Sequence, residues 1–560
     1  MSTNFKNRKF AKYSSVALTC TLLSASLCSC AEGEKMNDSA SYSSSYAEYN
    51  SQSSYSEYYE EVESAAESSE IYDEEFKPEP DGPSANEEYT EIIESGFKDP
   101  NAEPLSTFSA DVDTASYANV RRLIEDGMAI PEGAVRIEEF LNYFDYDYPA
   151  PKGDELFSRY MEIADCPWNP QSKLLMVGVQ AKEIETDEAP PSNLVFLIDS
   201  SGSMSDYNKL PLVQSAFSLL AENLTEYDRI SIVTYANSSS TLIKGASGEE
   251  KDEILQALYS ITANGSTNGE GGIMTAYDLA ERYFIEGGNN RVIIATDGDL
   301  NVGASSQKEL VELIEEKRDN GIYLSVLGFG TDNIKDSRLE ALADNGDGNY
   351  SYIDSIEEAQ RVLVSEMSGT LHTIAKDVKI QVEFNPSQVK SYRLIGYDNR
   401  LMDAHDFIDD TKDAGEVGAG HSVTALYEIQ LADSDTMYDG IELEFADEHK
   451  NNFTPVAEKS SRTELCKLSV AYKDIDGSYA ADESEYFSDL FGMEKYSEKP
   501  SDNMKLAASV AEFGMLLKDS EFKENSSYIQ VINTVSELAM NNKKVSELYD
   551  LTKIALSLYE

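Results

Sequence analysis

Between residues 193 and about 370 the chain switches repeatedly between short apolar runs and longer amphipathic stretches. The runs are LVFLID, RISIVTYA, RVIIATDGD and GIYLSVLGFG. They are rich in branched residues and apolar at nearly every position rather than every second one. That pattern belongs to strands buried on both faces. Between them lie KLPLVQSAFSLLAENL, KDEILQALYSI, GIMTAYDLAERYF and QKELVELIEEKRDNG, whose apolar residues recur at helical spacing. Alternation on this scale predicts an α/β domain with a doubly wound, mainly parallel sheet. Such sheets bind ligands beyond the carboxyl ends of their strands. The first run ends there in Asp199, followed at once by hydroxyls.

Three pieces of sequence converge on that edge. The first is D-x-S-x-S, with Asp199, Ser201 and Ser203. The second is the Gly-rich loop NGSTNGEGG, which offers Thr267, and the third is IIATDGDLNVG, where another apolar strand ends at Asp297. Taken singly, Asp and Ser after a strand are ordinary helix caps, and TDGD is an ordinary turn. Together they supply two carboxylates and three hydroxyls with no His or Cys. That all-oxygen set suits a hard divalent cation, Mg²⁺ first, with Mn²⁺ or Ca²⁺ as alternatives. Much of this shell is neutral hydroxyl, which leaves the cation with uncompensated charge and an open position that an Asp or Glu from a protein partner can fill.

In order and spacing, the three pieces resemble the metal-ion-dependent adhesion site of the von Willebrand factor A domain, a Rossmann-like fold. The resemblance implies that Ser201, Ser203 and Thr267 coordinate the metal directly or through water. It implies that Asp199 and Asp297 act largely through water when ligand is bound. A wider resemblance rests on FSADVDTASYANVRR and VRIEEFLNYFDYDYP before the domain, and on VKIQVEFNP, YRLIGYDNR and AASVAEFGMLL after it. These segments are similar to the YfbK-like bacterial subgroup, in which dedicated segments flank the A domain.

The N-terminus carries a different signal. Lys6, Arg8, Lys9 and Lys12 precede an apolar stretch from about Val16 to Leu27, a secretory signal too short to span a membrane. It ends in LCSC, which resembles a bacterial lipobox and implies that Cys30 is lipidated and anchors the chain at the extracytoplasmic face of the cell membrane. Residues 31–85 are mostly Ser, Tyr, Glu and Ala, too poor in aliphatic side chains to offset the entropy of ordering, and are expected to be a disordered tether. As a coil they would reach on the order of 40 Å. The 560-residue chain has 45 Lys+Arg against 103 Asp+Glu, a formal net charge of −58. Nucleic acid is therefore excluded as a partner, since phosphate binding needs clustered cations. Outside the signal and Cys30 only Cys166 and Cys466 remain, and two buried free thiols are expected.

The expected organisation is a signal at 1–30, the tether at 31–85, and a helical then β segment at 86–190. The α/β domain follows at 191–372, a β-rich domain at 373–480 where the apolar period changes to two, and a helical segment at 481–560. Strands at 155–182 are candidates to complete the β-rich domain. In the last segment Leu506, Val510, Phe513 and Leu517 form one helical stripe. The expected function is metal-dependent protein binding at the cell surface. A structural envelope protein whose metal only stabilises the fold is the alternative. A metal-assisted hydrolase has little support: HExxH, G-x-S-x-G and P-loop motifs are absent, and the four His lie far from the metal motifs in sequence.

Overall fold

The computed structural model describes residues 80–560 apart from 81, 85, 111–112, 154, 185–189, 268, 299–305, 332, 366–371, 410, 433–462 and 475–486. The signal, Cys30 and nearly all of the tether fall outside these residues.

The apolar run at 193–198 becomes the strand Ser192–Asp199, buried along its whole length. Its alternate side chains serve two cores. Leu194, Phe196 and Ile198 join one cluster, with Phe217, Leu220 and Leu258 from the helices Leu210–Asn223 and Lys251–Ser260. Val195 and Leu197 point the other way, against Ile273, Tyr277 and Leu310 from Gly269–Arg282 and Ser306–Asp319. Each buried aliphatic or aromatic side chain is worth about 1.5–3 kcal/mol, so a strand apolar at every position is stable only with helices on both faces.

The strand lies between Arg229–Tyr235 and Asn289–Thr296, parallel to both. Beyond the latter come Ile322–Phe329 and Tyr350–Ile353, also parallel. On the far side the antiparallel strand Ser239–Ser247 closes the sheet as a partly exposed edge. Its mixed polar and apolar residues carry none of the period that marks the buried strands. From Asp199 the chain crosses to one side of the strand and later returns on the other. The loops after Asp199 and after Thr296 therefore part company, and the crevice of the sheet opens there.

The segments 86–190 and 373–480 do not separate into bodies. Leu105–Ser109 pairs with Thr373–Phe384, which pairs in turn with Glu464–Lys473 and so reaches Phe487–Gly492. In a second sheet, Phe157–Asp165 and Lys173–Ala181 continue into Ser422–Leu431 and Val389–Ile395. The two sheets share one core of Phe108, Ile163, Val177, Ile380, Phe384 and Leu468 among others. The α/β domain is thus inserted into a β-sandwich, and the expected boundary at 481 gives way to a strand at Phe487–Gly492, because a strand is held by its ladder partner.

Helices Asp502–Leu517, Tyr528–Leu538 and Lys543–Tyr559 pack with Ala115–Glu125 and Ile137–Tyr143 around a fourth core. Leu506, Val510 and Phe513 are buried in it as the stripe requires, and Leu517 is partly buried against it. Trp168 is buried there too, its indole N–H donating to Glu428 Oε2 at 3.4 Å. Cys166 and Cys466 are buried free thiols. Among the described residues no helix is long and apolar enough to cross a membrane.

Candidate metal centre

Asp199 ends its strand fully buried. The amide of Ser201 donates to its Oδ1 at 2.8 Å, a short loop-closing bond, while Oδ2 has no hydrogen-bond partner. Burial pushes this carboxyl up to about 6, and the nearby charge of Asp297 adds to the shift. Ser200 is tied by its amide and hydroxyl to the Tyr235 carbonyl of the neighbouring strand. The turn Gly202–Ser205 follows, anchored by the buried Met204. This geometry brings Ser201 Oγ and Ser203 Oγ to 2.9 Å from each other, with Ser203 on the exposed side.

The loop that carries Thr267 is strapped to this turn by backbone. Asn264 N donates to the Ser200 carbonyl at 2.8 Å and Gly202 N to the Gly265 carbonyl at 3.0 Å. Gly265, at φ 91°, is packed against the Asn237 side chain, where a Cβ would not fit. Asn237 Oδ1 in turn accepts from the amide and hydroxyl of Ser266. Thr267 follows, partly buried at the rim, and Asn268 lies outside the described residues.

Asp297 comes from the next strand, one residue beyond Thr296, and is also fully buried. Its Oδ2 takes an ion pair from Lys209 Nζ at 3.0 Å, and its Oδ1 has no partner. Gly298 turns the chain away at φ 108°, in a space where any Cβ would overlap the Asn333 carbonyl. Tyr235, opposite Asp199 in the strand register, buries its hydroxyl beside that carboxylate and the Thr296 side chain, close enough to interact with both.

Two buried carboxylate oxygens without partners, on adjacent strands and beside a pair of hydroxyls, are costly unless something positive binds them. Their all-oxygen donor set fits a divalent cation. The sequence motifs pointed to each of these residues but not to Lys209, which occupies the position just before the helix Leu210–Asn223. A cation there opposes the helix dipole, and that anomaly is the local signal that it has a carboxylate partner elsewhere. Among the described residues, the other cluster with metal-ligand spacing is His405, Asp406 and Asp409. There Asp406 closes a capping box with Asp403, and Asp409 accepts from Thr411.

Three family models match the chain. Residues 193–365 match the von Willebrand factor type A domain, 83–176 match a model described as von Willebrand factor, and 369–558 match the C-terminal region of YfbK. Protein YfbK of Escherichia coli K12 is 42% identical over 451 residues, covering 79% of this chain and 76% of that protein. Among solved structures, a von Willebrand factor type A protein from Catenulispora acidiphila aligns over 73% of this chain and 91% of its own. Its identity is 12% and its TM-score 0.40. Proximal thread matrix protein 1 of the mussel byssus, solved with zinc in its MIDAS motif, covers 32% of this chain and 45% of its own. It aligns at 22% identity with a TM-score of 0.26.

Proposed function

This chain belongs to the von Willebrand factor type A proteins of the YfbK-like group, and from that premise we propose that it is a metal-ion-dependent protein-binding lipoprotein of the bacterial cell surface. One observation carries the reading: Asp199 Oδ2 and Asp297 Oδ1 are both buried without partners at the carboxyl edge of one parallel sheet. Asp199, Ser201, Ser203, Thr267 and Asp297 hold a divalent cation in this reading, Mg²⁺ first. An Asp or Glu of a partner protein completes its shell. Lipidation at Cys30 anchors the chain in this reading. The net charge of −58 repels an acidic partner at long range, so the attraction is local to the metal.

The test is calorimetric Mg²⁺ titration with a parallel pull-down from envelope extract, on wild type and Asp199→Ala, with and without EDTA. Metal binding and partner capture are expected in wild type and lost in Asp199→Ala or with chelator. Capture by both proteins, or capture that survives EDTA, would leave a metal-free scaffold instead. The anchor is tested separately: Cys30→Ser is expected to move the protein out of the membrane fraction, and an unchanged fractionation refutes it.

A further inference from the structure

Lys209 is a cation buried inside the candidate metal centre. It is 5% exposed, and its Nζ lies 3.0 Å from Asp297 Oδ2, its one ion pair among the described residues. The site is shaped to hold it. Gly330, at φ 76°, packs against the lysine stem so closely that any Cβ would overlap Lys209 Cγ and Cε. The Gly330 carbonyl is itself fixed by the Tyr352 hydroxyl, which donates to it at 2.7 Å. A lysine placed against the positive end of a helix and buried beside a second strand's carboxylate is costly to keep.

Resting on the metal-dependent reading above, we propose that Lys209 is a positioning residue that acts as the built-in counter-charge of the metal centre. It takes one oxygen of Asp297 and leaves the other turned to the cation. The electrostatic consequence follows from counting formal charges. Asp199 and Asp297 with Lys209 leave the empty centre with one net negative charge, which rejects a carboxylate. A divalent cation reverses the sign to one net positive charge, because Ser201, Ser203 and Thr267 are neutral. Without the lysine the two carboxylates would cancel the cation completely. The site would then hold metal more tightly and attract an acidic ligand less. Lys209 thus trades metal affinity for ligand affinity and makes acidic recognition conditional on metal.

The experiment uses the full chain as wild type, Lys209→Met and Lys209→Arg. Mn²⁺ binding is followed by water-proton relaxation, and acetate is then titrated into the Mn²⁺-loaded protein on the same signal. Lys209→Met keeps the stem that packs on Gly330 and removes only the charge. It is expected to tighten Mn²⁺ by about tenfold and to weaken acetate by a similar factor, since a unit charge a few ångströms away is worth at least that much at a partly buried site. Lys209→Arg is expected to hold both affinities near wild type. Opposite shifts in two affinities from one substitution are the signature, because simple damage to the loop would weaken both. Loss of both affinities, or no change in either, overturns the proposal while leaving the metal reading intact. Wild type that binds no Mn²⁺ overturns both.

Discussion

Arg136 and Asp336 meet at 2.6 Å although they are 200 residues apart, one before the helix Ile137–Tyr143 and the other at the start of Asp336–Asn345 in the inserted domain. The same guanidinium binds Glu139 at 2.9 Å and Glu340 at 3.0 Å, all in the interior. Arg400 takes the other oxygen of Glu340 at 2.9 Å and also reaches Asp113 and Asp344. Arg121 repeats the device, joining Asp354 and Glu358 to Glu547 of the C-terminal helix. The inserted domain is therefore fastened to its flanks by arginines that each serve several carboxylates.

Removing one such hub leaves charges buried without partners. Arg136→Met is expected to cost about 3–5 kcal/mol near neutral pH. The cost should shrink on acidification, because burial raises the Glu139 and Glu340 carboxyls, which can then be protonated. Denaturant unfolding at pH 8 and pH 5 measures both.

The candidate metal centre is expected to trade stability for binding. Burial raises the Asp199 carboxyl to about 6, so its charged form opposes folding when no cation is present. Asp199→Asn is expected to be more stable than wild type in EDTA, on the order of 2 kcal/mol at pH 8. Mg²⁺ at a hundred times its Kd should stabilise wild type by about 2.7 kcal/mol and leave Asp199→Asn unchanged. Thermal melts of the two proteins with EDTA and with Mg²⁺ decide it.

Gly298 sets the direction of the chain behind Asp297. Gly298→Ala forces a Cβ into the Asn333 carbonyl at a positive φ. The expected loss is about 2–3 kcal/mol, with a larger proportional loss of Mg²⁺ affinity than of stability because Asp297 is displaced. Ala substitution at Gly271, where a Cβ would meet nothing within 4 Å, is the control.

Glu512 is buried in the helical core, where burial pushes its carboxyl up to about 7 and one backbone bond from Ser527 N at 3.0 Å offsets part of the effect. A folded value above the unfolded one means that the native state binds the extra proton between about pH 4.5 and 7. Stability should fall as pH rises through that window and stay low above it. Glu512→Gln is expected to remove this part of the pH profile and to gain about 2–3 kcal/mol at pH 8. Equal pH profiles for the two proteins would refute the assignment.

The α/β domain and most of its candidate metal set are legible in the chain because their determinants are local. A strand buried on both faces must be apolar throughout, as at Leu194–Ile198, and a parallel sheet must deliver its following loops to one edge. Asp199, Ser201 and Ser203 are neighbours in sequence, and Asp297 directly follows a strand of the same kind. The division of the rest was decided only by tertiary structure. Leu105–Ser109 has no partner within reach until Thr373–Phe384 returns to it after the whole inserted domain, and no local period encodes that register. The polar edge strand Ser239–Ser247 exists because Arg229–Tyr235 offers it a ladder. Lys209 acquires its meaning from a carboxylate 88 residues away. Backbone preference and burial pattern act over a few residues. Charge pairing and strand pairing act across whatever distances the fold closes, and only the closed chain reveals them.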